Sequence, residues 1–325
     1  MPSTRPAFSE AAETAASFLK EHDHFLLLTH ARPDGDTVGS AYALAMALRE
    51  YGKEAYVLPD PLAGRNFPPF FEAVAPETIP DDPTVVTVDV ADASLLPEWA
   101  EKYLPQVRCV IDHHTSNRVP CPLKCIDSGA AATAEIIREI VAVLGLPLSP
   151  VVSQGLYMAL MTDTGCFRYS NVREKTLLYA ADALAAGADA FGLARELFMK
   201  KSARRMKVES HVISGFRYFA DGRINMASIS LAEAASLGAT EDDIGGLASM
   251  TVIPETVEIG IFLREMAPDE VKISVRTDTY ADAAALCAAF GGGGHVRAAG
   301  CTLKNTTLEE AYTILEKEAE KYLSC

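Results

Sequence analysis

Short continuous apolar runs alternate with stretches of helical periodicity over the first two-thirds of the chain. Residues 25–29 form a continuous apolar run, which predicts a strand buried on both faces, and residues 85–89 and 107–112 read as strands as well. Residues 54–58 predict a further strand. Between them, residues 37–51 place Val38, Tyr42, Leu44, Met46 and Leu48 near helical spacing and stop at Gly52. Residues 132–144 predict a helix ended by Gly145-Leu146-Pro147, residues 151–161 another, and residues 174–186 a third stopped by Gly187. Strand and helix in alternation predict an α/β fold, an N-terminal parallel sheet with helices on both faces. The last third reads as a smaller α/β unit with strands at 224–230, 257–263 and 271–276 and helices at 280–290 and 308–322.

Length supports that division. At 325 residues the chain exceeds the roughly 250–300 at which one core stops growing. The expected domains are 1–195 and 211–325, joined by 196–210, where Lys200, Lys201, Arg204, Arg205 and Lys207 cluster. That cluster has two readings, a basic helix face or an attraction for substrate phosphate. No apolar run approaches the roughly 18 residues of a membrane span, and Met1–Pro6 carries no apolar signal region, so the expectation is a cytoplasmic protein without a membrane partner. Seven scattered cysteines give no disulfide framework, and Cys121 and Cys125 lack the second pair that a zinc site needs. A net charge of −15 argues against binding long nucleic acid, so a nucleotide partner must be short and gripped locally.

Four acidic or imidazole-bearing runs carry the candidate chemistry: His30-Ala31-Arg32-Pro33-Asp34-Gly35-Asp36, Asp89, Asp112-His113-His114, and Asp163-Thr164-Gly165. Three follow predicted strands, whose C-terminal ends open onto one crevice in a parallel sheet. Gathering Asp34, Asp36, Asp89 and Asp163 there sets like charges together at about 4 kcal/mol per pair for a ~4 Å separation. Two divalent cations would balance them. Carboxylates mixed with imidazoles, without thiolate, suit Mn²⁺ or Mg²⁺ better than a structural zinc.

In this order, His-x-x-x-Asp-x-Asp, Asp, Asp-His-His and Asp-Thr-Gly resemble the four motifs of the DHH phosphoesterases. The run from Gly291 through His295 and Arg297 to Gly300 resembles the signature of the DHHA1 domain that often follows. At this length the chain is closest to the NrnA-like branch, enzymes that degrade very short oligoribonucleotides (nanoRNA) and dephosphorylate adenosine 3′,5′-bisphosphate (pAp). The resemblance implies that His30, Asp34 and Asp89 hold one metal and that Asp36, Asp89, His113 and Asp163 hold the other, with Asp89 bridging. Mn²⁺ is the first expectation, with Mg²⁺ or Co²⁺ as alternatives. Pro33 and Gly35 would bend the loop so that Asp34 and Asp36 reach different ions.

The same resemblance implies in-line attack on phosphorus by hydroxide generated at the metals. His114 would hold the scissile phosphate or protonate the leaving oxygen, and Asp112 would orient an imidazole. Ser274 and Arg276 match a substrate-binding Ser-x-Arg. Gly292, Gly293 and Gly294 would form an anion-binding nest, with His295 and Arg297 as side-chain donors. Short RNA or a nucleotide, held between a catalytic and a gripping domain, is the implied substrate, and a homodimer is compatible with the family. Cyclic di-AMP or pApA is the alternative substrate. A nucleotide-binding module that had lost catalysis would lack ligands, and none is missing here.

Overall fold

The computed structural model describes residues 8–61, 63 and 67–323. Met1–Pro6, read for a signal region, and Cys325 lie outside these. The chain divides into two compact units, 1–200 and 201–325. In the first, strands β1 (Phe25–Leu28), β2 (Ala55–Val57), β3 (Thr84–Val88), β4 (Val107–Asp112) and β5 (Leu123–Ile126) form one parallel sheet in the order β2-β1-β3-β4-β5. Its helices are α1 (Glu10–Glu21), α2 (Gly35–Glu50), α3 (Pro68–Val74), α4 (Thr133–Val143), α5 (Pro150–Asp163), α6 (Glu174–Ala185) and α7 (Ala190–Ala194). Alternate strand residues serve two cores. Phe25, Leu27, Val86, Val88, Cys109 and Ile111 pack with the long helices, whereas Leu26, Leu28, Val85 and Val110 pack with the short helical turns around Leu96, Ala100 and Tyr103. Burial on both faces is why β1 reads as a continuous apolar run, whereas β4 carries the exposed Arg108 near its start.

Helices α2 and α5 touch through bare backbone. A Cβ on Gly39 would overlap Gly155 O, and a Cβ on Gly155 would lie 2.7 Å from Gly39 O. This approach draws the start of α2, which carries Asp34 and Asp36, toward the end of α5, which carries Asp163. Gly39→Ala should therefore cost about 1–3 kcal/mol of stability or more, since backbone rather than a flexible side chain stands in the way. Gly293→Ala, with nothing within 4 Å of its Cβ, is the control in thermal unfolding. Equal melting temperatures for Gly39→Ala and wild type would contradict this packing.

The second unit holds α8 (Ala203–Ser214), β6 (Arg217–Phe219), β7 (Ile224–Ile229), α9 (Leu231–Ser236), α10 (Glu241–Ile244), β8 (Ile259–Ala267), β9 (Glu270–Thr277), α11 (Ala283–Ala288), β10 (Gly293–His295), β11 (Ala298–Lys304) and α12 (Leu308–Ala319). Its mixed sheet runs β10-β11-β9-β8-β7-β6, parallel only between β7 and β8. The boundary between the units falls within the expected connection at 196–210, which is largely helical. Ser202 caps α8 by accepting from Arg205 N, and the basic residues are engaged locally: Arg204 with Asp243, and Lys201 and Arg205 with Glu209 at 2.8 and 2.7 Å. Of the two readings of that cluster, the structure supports the helix-packing one for these three side chains. The six described cysteines are free thiols, and among the described residues no single helix is long and apolar enough to cross a membrane.

Candidate metal centre

The loop after β1 is held before any ligand is considered. Arg32 is left-handed (φ 53°), and its N–H donates to the buried Asp60 carboxylate at 2.7 Å. Asp34 caps α2, its Oδ1 accepting from the Asp36 and Thr37 amides at 3.0 and 3.1 Å. Its Oδ2 remains for a cation. Asp36, one residue into the helix, is buried and spans to another element: Oδ2 accepts from Thr133 N at 2.8 Å, and Oδ1 accepts from Ser40 Oγ at 2.8 Å and Ala134 N at 3.3 Å. Ala132, at the start of α4, offers no side-chain cap, so Asp36 supplies one from 97 residues away.

Asp89 follows β3 in the left-handed region (φ 59°), a conformation Asp tolerates better than most residues. Thr37 Oγ1 donates to its Oδ2 at 2.6 Å and Thr133 Oγ1 to its Oδ1 at 2.9 Å. Each hydroxyl leaves carboxylate lone pairs over, and these are the atoms two cations can share.

At the end of β4, Asp112 is fully buried and organises its neighbours. Oδ1 accepts from His113 N, His114 N and His114 Nδ1 at 2.8, 3.2 and 2.8 Å, and Oδ2 from Asn117 Nδ2 at 2.7 Å. Because Nδ1 of His114 donates to a carboxylate, only its Nε2 carries a lone pair in the neutral ring. His113 faces the other way round. Its Nδ1 donates to Ala130 O at 3.3 Å, and Nε2 lies 3.9, 3.7 and 3.7 Å from carboxylate oxygens of Asp36, Asp89 and Asp163. His30 Nδ1 likewise donates to Ala31 O at 3.0 Å, leaving Nε2 as a donor atom.

Three overlapping groups result, each with donor atoms within 4.8 Å of one another: His30, Asp34 and Asp89; Asp36, His113 and Asp163; and Asp89, His113 and His114. All seven side chains are thus drawn into one centre. The electrostatics fit cations. Burial first, then the charges of Asp89, Asp163 and Asp34, pushes the Asp36 carboxyl well above its usual range. Asp163 rises to about 7 through burial and the charges of Asp34 and Asp89, against the pull of His113 and His114. For His114, burial opposes the charged form, but the Asp112 hydrogen bond and the charges of Asp112, Asp89 and Asp163 outweigh it and raise the imidazole to about 9. Protein groups alone leave the cluster short of positive charge, and an all-oxygen-and-imidazole donor set is what hard divalent cations take.

Sequence reading missed the hydroxyls and amides that hold these ligands. Thr37, Ser40 and Thr133 grip Asp36 and Asp89, and Asn171 Nδ2 ties Asp163 O to Ala131 O at 3.1 and 3.0 Å. Thr133 sits in an Ala-rich run at a helix start, which offers no signal by itself; its role comes from spatial approach.

In the second unit, the strand register sets Arg276 opposite Ala298, and Ala298 opposite His295. Residues aligned across a sheet share a face, so Arg276 and His295 flank a small Ala, with Ser274 opposite Gly300 one step along. Gly292, whose Cβ would strike Gly300 and Cys301, turns into this edge, and Gly293 and Gly294 pair with Gly300 and Ala299 in the exposed strand β10. Arg297 lies elsewhere. Its Nη1 donates to Ala281 O at 2.8 Å and Thr277 Oγ1 at 3.4 Å, and its Nη2 to Thr279 O. Glu258 holds the same turn from its amide side, accepting from Thr279, Tyr280 and Ala281 N at 2.7–3.1 Å. The anticipated ligand donor Arg297 therefore spends its guanidinium on its own fold, and the turn at 279–282 explains why the helix read at 280–290 begins only at Ala283. Arg297→Ala should lower stability in denaturant unfolding by about 1.5–3 kcal/mol. Unchanged stability with weakened nucleotide binding would return Arg297 to the ligand.

Comparison with known proteins agrees with this geometry. The DHH family N-terminal domain matches residues 24–161 and the DHHA1 domain residues 225–324. The bifunctional oligoribonuclease and PAP phosphatase NrnA of Thermus thermophilus is 31% identical over 97% of this chain and 96% of its own length. An exopolyphosphatase-related protein from Bacteroides fragilis shares the fold with a TM-score of 0.83 at 23% identity, covering 98% of both chains. RecJ from Thermus thermophilus, solved in complex with Mn²⁺, superposes with a TM-score of 0.58 at 16% identity, over 98% of this chain and 56% of RecJ. With the motifs gathered in one centre and both domains matched in order, the chain belongs to the DHH/DHHA1 phosphoesterase family, in its NrnA-like branch.

Proposed function

We infer that the chain is a two-metal phosphoesterase that hydrolyses short oligoribonucleotides and removes the 3′-phosphate of pAp. The observation that carries this reading is the pair of donor groups, His30–Asp34–Asp89 and Asp36–His113–Asp163, meeting at Asp89, whose oxygen lies 3.7 Å from His113 Nε2. Divalent cations held there, with Mn²⁺ the first choice, would activate a water at neutral pH and neutralise charge on the phosphoryl oxygens. The chain's own groups do the rest. Thr37, Ser40 and Thr133 keep the carboxylates in place, so no ligand has to be ordered when substrate arrives. His114, backed by Asp112, holds the phosphate or delivers a proton to the leaving oxygen. Ser274, Arg276, His295 and the Gly292–Gly294 edge supply nucleotide contacts in the second unit. With a net charge of −15, such local grip favours short substrates over long strands.

Mn²⁺-supported turnover across pAp, pApA, cyclic di-AMP, RNA of two to ten nucleotides and pyrophosphate tests the reading. Highest kcat/KM on pAp and RNA of a few nucleotides is expected. Preference for cyclic di-AMP or pApA would reassign the substrate, and no hydrolysis of any phosphoester would remove the enzymatic reading.

A further inference from the structure

The turn after Asp163 is more strained than the placement of one ligand requires. Gly165, Cys166 and Phe167 are all left-handed, with φ of 56°, 61° and 60°. Gly165 enters that region freely, but L residues do so singly, and two in succession persist only where the surroundings over-determine them. Here they do. Phe167 N donates to Thr164 Oγ1 at 3.0 Å, Cys166 N to Met161 O at 2.7 Å, and the Arg168 and Tyr169 amides to Thr164 O at 2.9 and 3.1 Å. Asn171 then returns the loop to Asp163 and to Ala131, on the segment that leads into α4. The loop is built on the metal centre at both feet.

What this strained loop displays is an arginine and an aromatic ring. Arg168 is exposed; its Nε is fixed by Gly165 O at 2.6 Å, and its terminal nitrogens make no further hydrogen bond among the described residues. Tyr169 is 54% exposed, yet its ring lies so close over Gly165 that a Cβ there would come within 2.5 Å of Cε1 and Cε2. Its hydroxyl makes no hydrogen bond among the described residues. Neither group is needed for the packing of the core. A fixed guanidinium binds phosphate oxygens through two parallel donors, and a held aromatic face stacks any nucleobase.

We propose that Arg168 and Tyr169 form a nucleotide subsite of the first unit, where Tyr169 stacks the base of the nucleotide that carries the reacting phosphate and the Arg168 terminal nitrogens hold that nucleotide's phosphate. The proposal rests on the phosphoesterase reading above and deepens it by assigning base recognition to the loop that bears Asp163. Stacking tolerates all four bases, so the subsite selects for a nucleotide without selecting a sequence.

The test uses the full metal-loaded chain and two probes, AMP and base-free ribose 5-phosphate, with affinities read by calorimetry and metal content measured in each variant. Wild type should prefer AMP over ribose 5-phosphate by about 5- to 150-fold, the range for one stacked base. Tyr169→Ala should abolish that preference and Tyr169→Phe should restore it. Arg168→Ala should weaken both probes roughly tenfold, with Arg168→Lys recovering only part, because an ammonium lacks the planar fork. Retention of the AMP preference in Tyr169→Ala, or its absence in wild type, would overturn the proposal. Loss of metal in Tyr169→Ala with the preference intact would make the loop a scaffold only. Because these readouts are binding constants, a chain that cleaves no dinucleotide would fail the functional reading while the subsite is still decided.

Discussion

Asp89→Ala is expected to lower kcat/KM by at least about 10³-fold and to strip metal from both positions. Changes to groups that merely orient metal ligands cost about 10–100-fold, and Asp89 lies in two of the donor groups and accepts from Thr37 and Thr133. Metal analysis beside kinetics reads both effects. The wild-type protein should lose activity in excess EDTA and regain it with Mn²⁺. A pH signature accompanies this. Asp163 in the folded chain titrates near 7 against an ordinary 3.8, so the folded state binds more protons than the unfolded one across that window. With chelator, stability should therefore fall as pH rises from about 4 to about 7. Cations reverse the trend, because they bind the deprotonated carboxylate. Full activity in EDTA, or two ions retained by Asp89→Ala, would sink the two-metal centre.

His113→Ala and His114→Ala should fail in different ways although the residues are adjacent. His113 Nε2 stands within 4 Å of three carboxylates with its other nitrogen on Ala130 O, so its loss should empty the Asp36–Asp163 position. His114 has Nδ1 committed to Asp112 at 2.8 Å, so His114→Ala should keep metal while losing about 10²–10⁴-fold in turnover, the span of a positioned acid or base. Equal metal loss in both variants would erase this division of labour.

Much of the candidate centre was legible because its residues stand in short runs that follow largely apolar strands. β1 was visible as a wholly apolar run, and β3 and β4 as largely apolar segments interrupted by Thr87 and Arg108, and a parallel sheet brings such ends to one edge. The supporting hydrogen bonds were not legible. Thr133 reaches Asp36 and Asp89 across 97 and 44 residues, and no local pattern encodes that approach. Strands β5 and β11 escaped because Lys124, Thr302 and Lys304 break their apolar character. The local hydrogen bonds of Arg297 were not legible for a related reason. Its place beside a glycine run suggests a ligand contact, and nothing local in the sequence announces that the turn at 279–282 takes its donors through the Thr279 and Ala281 carbonyls.

The cap that Asp36 places on α4 also sets a timetable during synthesis. A ribosome adding about 5–20 residues per second takes roughly 5–20 s to travel from Asp36 to the amide of Thr133. Throughout that interval the nascent chain carries its first acidic ligands with neither the α4 amides nor the Thr133 hydroxyl to receive them. Asp163 emerges later still, at the end of the helix that meets α2 through Gly39 and Gly155. The cluster that could hold ions is therefore complete only once well over half of the first unit has left the ribosome, which makes it a product of completed folding instead of a nucleus for it.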